Sequence, residues 1–184
     1  MEDDLELLNS ARKWNKDALE KIFTHYASAL YNYALRLGRD PMMADQIVGD
    51  VFAKLLEQLS SGEGPKTNLR SYLYQATYHM IIDYGDYSRR RASLGVADWY
   101  RDDLHSESAK LEDQALFDVV LNVLRNDLTE DQRHVIVLRF LEQFNLNETA
   151  IILGKTVSHI KVIQGRALAK LRKSLGYSGT ETGT

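Results

Sequence analysis

A chain of 184 residues has room for one large domain or two small ones, and 44% hydrophobic residues can bury a core, which excludes wholesale disorder. The absence of cysteine removes both a disulfide framework and a thiolate metal site. The formal net charge is −3, so any affinity for nucleic acid has to come from local basic patches. Two prolines, with few β-branched runs bounded by turn residues, point to an all-α fold.

The acidic start (Glu2, Asp3, Asp4, Glu6) carries one weak apolar stripe, Leu5 and Leu8, enough for a short, frayed helix. It is the opposite of a signal peptide's basic start, and no apolar run reaches the length of a membrane span, so a cytoplasmic chain without membrane insertion is expected. From Ala18, apolar residues recur at three and four (Leu19, Ile22, Phe23, Tyr26, Leu30, Tyr33, Leu37), a helix ending at Gly38. Asp40-Pro41 restarts the chain with an N-cap and a first-turn proline. Ala44, Ile47, Val48, Val51, Phe52, Leu55 and Leu59 then line one face of a second long helix, and Asp45, Gln46, Gly49, Asp50 and Lys54 lie on the other. The run from Ser60 to Pro65 reads as a loop.

A third long helix starts near Thr67 or Asn68 and extends toward Arg91. It is rich in tyrosine (Tyr72, Tyr74, Tyr78, Tyr84, Tyr87) and closes with Arg89, Arg90 and Arg91. Aromatic rings beside a cationic cluster can stack unpaired bases while arginines hold phosphates; tyrosines at helical spacing can equally pack in a core with hydroxyls at the surface. Both readings stand. After Ala92 the periodicity stops, and up to Ala109 Asp98, Asp102, Asp103 and Glu107 face only Arg101: a flexible acidic linker over 92–110, separating a domain over 1–91 from one over 111–176.

The second domain is read as four short helices. Leu111 to Leu124 restores the helical period, and Thr129-Glu130-Asp131-Gln132 is a capping-box pattern that opens a helix carried by Val135, Ile136, Leu138 and Phe140 to a turn at Asn145. Ala150, Gly154, Ile160 and Ile163 then fall at the spacing of a helix-turn-helix. A small residue sits at the helix crossing, glycine takes the positive φ of the turn, and branched residues hold the second helix on the first. Thr156 is a suitable N-cap for that second helix and Gly176 its stop. From Lys155 to Leu175 there are six basic residues (Lys155, Lys161, Arg166, Lys170, Arg172, Lys173) and no acidic one, a balance suited to the phosphate-lined major groove. Gly165 interrupts that helix at a cost of about 1 kcal/mol relative to alanine; it either lets DNA approach closely or is simply tolerated. Residues 177–184 form a disordered Gly/Ser/Thr tail.

Enzymatic chemistry finds no support. The five histidines (His25, His79, His105, His134, His159) are scattered, with no i, i+4 pair, and the glycines form neither a phosphate loop nor a dinucleotide fingerprint. No metal and no cofactor is expected.

The order of these segments resembles the extracytoplasmic-function group of bacterial RNA polymerase sigma factors. Ala44-Asp45-Gln46-Ile47-Val48-Gly49-Asp50-Val51-Phe52 is similar to the family's A-E-D-L-V-Q-E-V-F stretch, which docks on the clamp helices of core polymerase; the resemblance implies Asp45, Gln46 and Asp50 as docking residues. Leu69 to Tyr74, then Ile82-Asp83-Tyr84 and the arginines, resembles the part that melts and reads the promoter −10 element, implying Tyr72, Tyr74, His79, Asp83, Arg89, Arg90 and Arg91. Leu128-Thr129 with Gln132-Arg133, then Glu148-Thr149-Ala150 and Leu153-Gly154, is similar to the region that reads the −35 element, implying Thr156, Ser158, His159, Lys161, Val162 and Arg166. Where the family usually has Trp and Asn, this chain has Tyr72 and His79, and Val162 and Ile163 replace polar or basic residues. The resemblance implies core polymerase and promoter DNA as partners, an anti-sigma factor as a further one, and no catalysis. The rival reading is a stand-alone helix-turn-helix regulator, which has no reason to carry the first domain's surfaces.

Overall fold

A computed structural model describes residues 4–37, 40–93, 122–124 and 126–176, with only the backbone described for 86–93. The described elements are helical: α1 (Asp4–Ala11), α2 (Lys16–Arg36), α3 (Pro41–Ser61), α4 (Leu69–Ser93), α5 (Glu130–Ile136), a π-helical turn (Val137–Leu141), α6 (Leu146–Leu153) and α7 (Val157–Ser174). They fall into two compact units, the first built on α1–α4 and the second on α5 and α7.

In the first unit α2, α3 and α4 pack side by side, with α1 laid against α2 and α4. The periodic residues of the sequence form the core: Ile22, Leu30 and Tyr33 from α2, Ile47, Val51 and Leu55 from α3, and Leu69, Leu73 and Ile81 from α4 are buried. Asp40 caps α3 by accepting the Met43 N–H at 2.8 Å, ahead of Pro41 in the first turn. That helix runs through Ser60 and Ser61, expected as loop, because their hydroxyls donate to the carbonyls of Glu57 and Gln58. It stops only where Gly62 turns left-handed at φ 77°. Helix α2 ends at Arg36 with Leu37 as its cap; the expected stop at Gly38 lies outside the described residues.

Two expectations for this unit need correction. Helix α1 buries Leu7, Leu8 and Ala11 and leaves Leu5 exposed, so the apolar stripe is not the one read from Leu5 and Leu8. Nor is α1 a loose end: the Tyr26 hydroxyl donates to Asp4 Oδ2 at 2.5 Å, and Arg12 donates to the carbonyls of Gly64 and Pro65 at 2.8 and 2.5 Å. An eight-residue helix is marginal in isolation, and such tertiary ties hold it. Phe23 is half exposed, its ring 4.8 Å from that of Phe52.

In the second unit Leu124, Leu128, Ile136 and Ala167 form a buried cluster that Leu168 and Leu171 complete, fixing α7 against α5. Most of the helix expected from Leu111 lies outside the described residues. The capping box at Thr129 is formed: its hydroxyl accepts the Gln132 N–H and the Gln132 side chain accepts the Thr129 N–H. Thr129→Ala is expected to destabilise this unit by about 1 kcal/mol, measured as a lower midpoint of its urea transition. The π-helical turn was not foreseen. Its wider i→i−5 closure, seen as Glu142 N–H to Val137 O at 2.9 Å, shifts the helical phase. Phe140, expected on the apolar face, is therefore half exposed, and Phe144 enters the core instead.

Candidate nucleic-acid interface

The helix-turn-helix is built from local bonds. Asn145 Oδ1 accepts the N–H groups of Asn147 and Glu148 at 2.9 and 3.0 Å, and the Glu148 carboxylate accepts the Asn145 N–H at 2.7 Å, a reciprocal cap that starts α6. Gly154 makes the turn at φ 61°, with the Lys155 N–H returning to Ala150 O at 2.9 Å. The Thr156 hydroxyl then accepts the His159 N–H at 3.2 Å and opens α7. Ile160, Ile163 and Ala167 point inward and are buried. The helix closes at Leu175, with Gly176 left-handed at φ 73°.

The outward face of α7 carries Ser158, His159, Lys161, Val162, Gly165 and Arg166, all exposed, and Thr156 is exposed at its start. Five of the residues read as −35 contacts thus share one face of one helix, with Thr156 capping it. Not all the basic residues belong to that surface. Lys155 Nζ lies 3.1 Å from Asp131 Oδ2, and Lys170 Nζ donates to Asp127 O at 2.9 Å, so both hold α7 to the rest of the unit. Lys161 and Arg166 have no hydrogen-bond or ion-pair partner among the described residues.

A third side chain holding α7 was not singled out in the sequence. Arg139, on the π-helical turn, donates Nε to Gln164 Oε1 of α7 at 3.1 Å and Nη1 to the carbonyl of Phe144. One guanidinium therefore ties the π-helical turn, the carbonyl before α6 and the inner edge of α7 together. Nothing in a lone arginine beside a phenylalanine signals this, because both partners are set by the fold.

In the first unit, Asp45 and Gln46 are exposed on α3 and Asp50 is half-buried. The structure places Tyr84 of α4 against them: its hydroxyl donates to Asp50 Oδ2 at 2.5 Å, and Gln46 hydrogen-bonds the same phenol. Burial, together with the Asp50 carboxylate, pushes the Tyr84 phenol up from its ordinary 10.0 to about 12; the Gln46 bond acts in the opposite sense. A phenol whose pKa is raised by folding adds stability that is complete below pH 10 and lost as pH climbs toward 12. Tyr84→Phe is expected to flatten part of the alkaline decline in that window, read from denaturation midpoints against pH. Tyr26, Tyr31 and Tyr72 are raised in the same direction, each chiefly by burial, and supply the remainder.

The tyrosines of α4 divide between the two readings left open above. Tyr74 is 1% exposed, its ring 5.3 Å from that of Tyr33, with the Arg70 guanidinium 5.6 Å over it. It is a core residue, and its place among the −10 contacts is withdrawn because no base can reach its face. Tyr72 is half-buried and donates its hydroxyl to Gln58 Oε1 at 2.7 Å. His79 is exposed beside the Tyr78 ring at 5.5 Å, and Asp83 is exposed one turn further on. The backbone of Arg89, Arg90 and Arg91 continues α4; their side chains lie outside the described residues. Among the described residues no cluster of three metal-ligating side chains occurs, and no helix is long and apolar enough to cross a membrane.

A helix-turn-helix whose second helix has a cationic outward face, with a second helical unit before it in the chain, is the arrangement of a two-domain DNA-binding protein. Residues 22–92 match the Sigma-70 region 2 family and residues 126–173 the Sigma-70, region 4 family. The ECF RNA polymerase sigma factor SigX of Bacillus subtilis is 25% identical over 165 residues, 87% of this chain and 84% of SigX. Two solved structures share the fold. CnrH, in complex with the cytosolic domain of CnrY, superposes with a TM-score of 0.69 at 23% identity, over 96% of this chain and 99% of that one. The sigma factor RpoE, with the anti-sigma factor NepR from Bartonella quintana, gives 0.67 at 21% identity, over 87% and 98%. The chain belongs to the sigma-70 family and is an RNA polymerase sigma factor of the ECF group.

Proposed function

We infer that this chain binds core RNA polymerase in the cytoplasm, directs it to promoters and is released as transcription proceeds, with no catalytic activity of its own. The observation that carries this reading is the occurrence of both sigma regions in order, at 22–92 and 126–173. A stand-alone helix-turn-helix regulator has no use for the first. Residues 1–91 would dock on the polymerase clamp helices and meet the −10 element, 92–110 would link, and 111–176 would read the −35 element.

The docking surface is Asp45, Gln46 and Asp50 on α3, where carboxylates orient the complex against basic side chains and speed encounter. The −10 surface is Tyr72, His79 and Asp83 with Arg89, Arg90 and Arg91. The −35 surface is Thr156, Ser158, His159, Lys161, Val162 and Arg166, with basic residues on phosphates fixing the register. Because the RpoE neighbour was solved with an anti-sigma factor, we also propose that such an inhibitor holds this chain inactive.

The test is binding to purified core polymerase followed by run-off transcription from a genomic fragment library. Tight binding with new, discrete start sites is expected; salt-sensitive binding to duplex DNA without core binding would replace this reading with the stand-alone regulator. Within it, Asp50→Ala should weaken core binding by about tenfold, the order of one charge-assisted hydrogen bond. Asp50→Asn, which keeps an acceptor for Tyr84, separates the loss of charge from the loss of that bond. An unchanged affinity in both removes Asp50 from the docking surface.

A further inference from the structure

Among the exposed residues of α7 only one carries a large hydrophobic side chain. It is Val162, 49% exposed, with Ser158 and His159 a turn before it and Gly165 and Arg166 a turn after. About half of its surface is left open by the protein. A Cβ added at Gly165, three residues on, would meet nothing within 4 Å, so the helix surface beside Val162 is open and flat. Ile160, Ile163 and Ala167 are the buried residues of α7, and Val162 is not among them.

In the major groove each base pair presents donors and acceptors, and only thymine adds an apolar group, its 5-methyl. A short branched side chain can neither donate nor accept a hydrogen bond. Set against adenine N6, cytosine N4 or guanine O6 it would leave that polar group desolvated without a partner. Lys161 beside it would supply a phosphate contact that presses this part of the helix into the groove, and Gly165 removes the side chain that would hold the groove floor away. We propose that Val162 is a specificity-determining residue that reads one thymine of the −35 element through its 5-methyl group. This rests on the reading of α7 as the −35 helix.

The test uses holoenzyme, the full chain with core polymerase, transcribing a promoter library randomised through the −35 element. Wild type is expected to enrich thymine at one position, and Val162→Ala to lower that enrichment about fourfold, the worth of roughly one buried methyl group, leaving the other positions unchanged. On the selected promoter, deoxyuridine in place of that thymine removes only the methyl. It should cost wild type about fourfold and Val162→Ala almost nothing. No thymine preference that depends on residue 162, or an equal deoxyuridine penalty in both proteins, overturns the proposal. Arg166→Ala, run on the same library, keeps the two failures apart. If it alters −35 selection while Val162→Ala does not, only the thymine contact falls; if neither alters it, α7 is not the −35 helix and both fall.

Discussion

Replacing Tyr74 with alanine is expected to lower the stability of the first unit by about 3–5 kcal/mol, the cost of truncating a buried aromatic side chain. The ring lies between Tyr33 and the Arg70 guanidinium and is 1% exposed, so nothing nearby can collapse cheaply into the space it leaves. A domain holds only about 5–15 kcal/mol in total, so the variant should show a much earlier first transition in urea. Tyr74→Phe keeps the ring and should cost about 1 kcal/mol. A residue that stacks a melted base gives the opposite pattern: promoter opening fails while the urea transition stays where it was. That outcome would return Tyr74 to the DNA-facing set. The two units need separate transitions in the fit, since a two-unit chain is not obliged to unfold in one step.

Arg166→Ala is expected to lower transcription from a −35-dependent promoter by about tenfold to hundredfold, corresponding to the roughly 1–3 kcal/mol of a good arginine contact to a base edge. Arg166 is exposed on the outward face of α7, so its loss leaves Ile160, Ile163 and Ala167 in place and core affinity unchanged. If Arg166 instead meets a phosphate, affinity falls by similar amounts on all −35 sequences and the salt slope drops by about one. Equal loss of core binding and transcription would show that the arginine serves the complex rather than the promoter.

The helices were readable because their causes are local. The stripe from Ala44 to Leu59, the Asp40-Pro41 start and the Thr129–Gln132 box act within a few residues of themselves, and the structure realises each. The outward and inward faces of α7 follow from the same periodicity. What the sequence hid is set by partners far along the chain. Arg12 binds carbonyls more than fifty positions away, Tyr84 finds Asp50 across two helices, and Arg139 reaches Gln164 from another element. The π-helical turn was hidden for a different reason: one extra residue per turn leaves composition untouched and only shifts phase, which is how Phe140 and Phe144 exchanged places. Tyr74 shows the limit of a cluster argument, since five tyrosines on one helix need not share one face.

The bond from Tyr84 to Asp50 bears on how this protein can change over time. The phenol sits next to Asp83 on the helix read as meeting DNA, while the carboxylate belongs to the helix read as meeting polymerase. A substitution that adapts the carboxylate to a divergent polymerase also loosens the neighbouring helix, so that adaptation requires a paired change at residue 84. The outward face of α7 carries no such debt. Its side chains at 158, 161 and 166 make no hydrogen bond or ion pair among the described residues, so they can drift one at a time. On the reading of α7 as the −35 helix and Asp50 as a docking residue, promoter preference is free to diversify quickly among descendants of this chain, while its fit to polymerase moves slowly and in pairs.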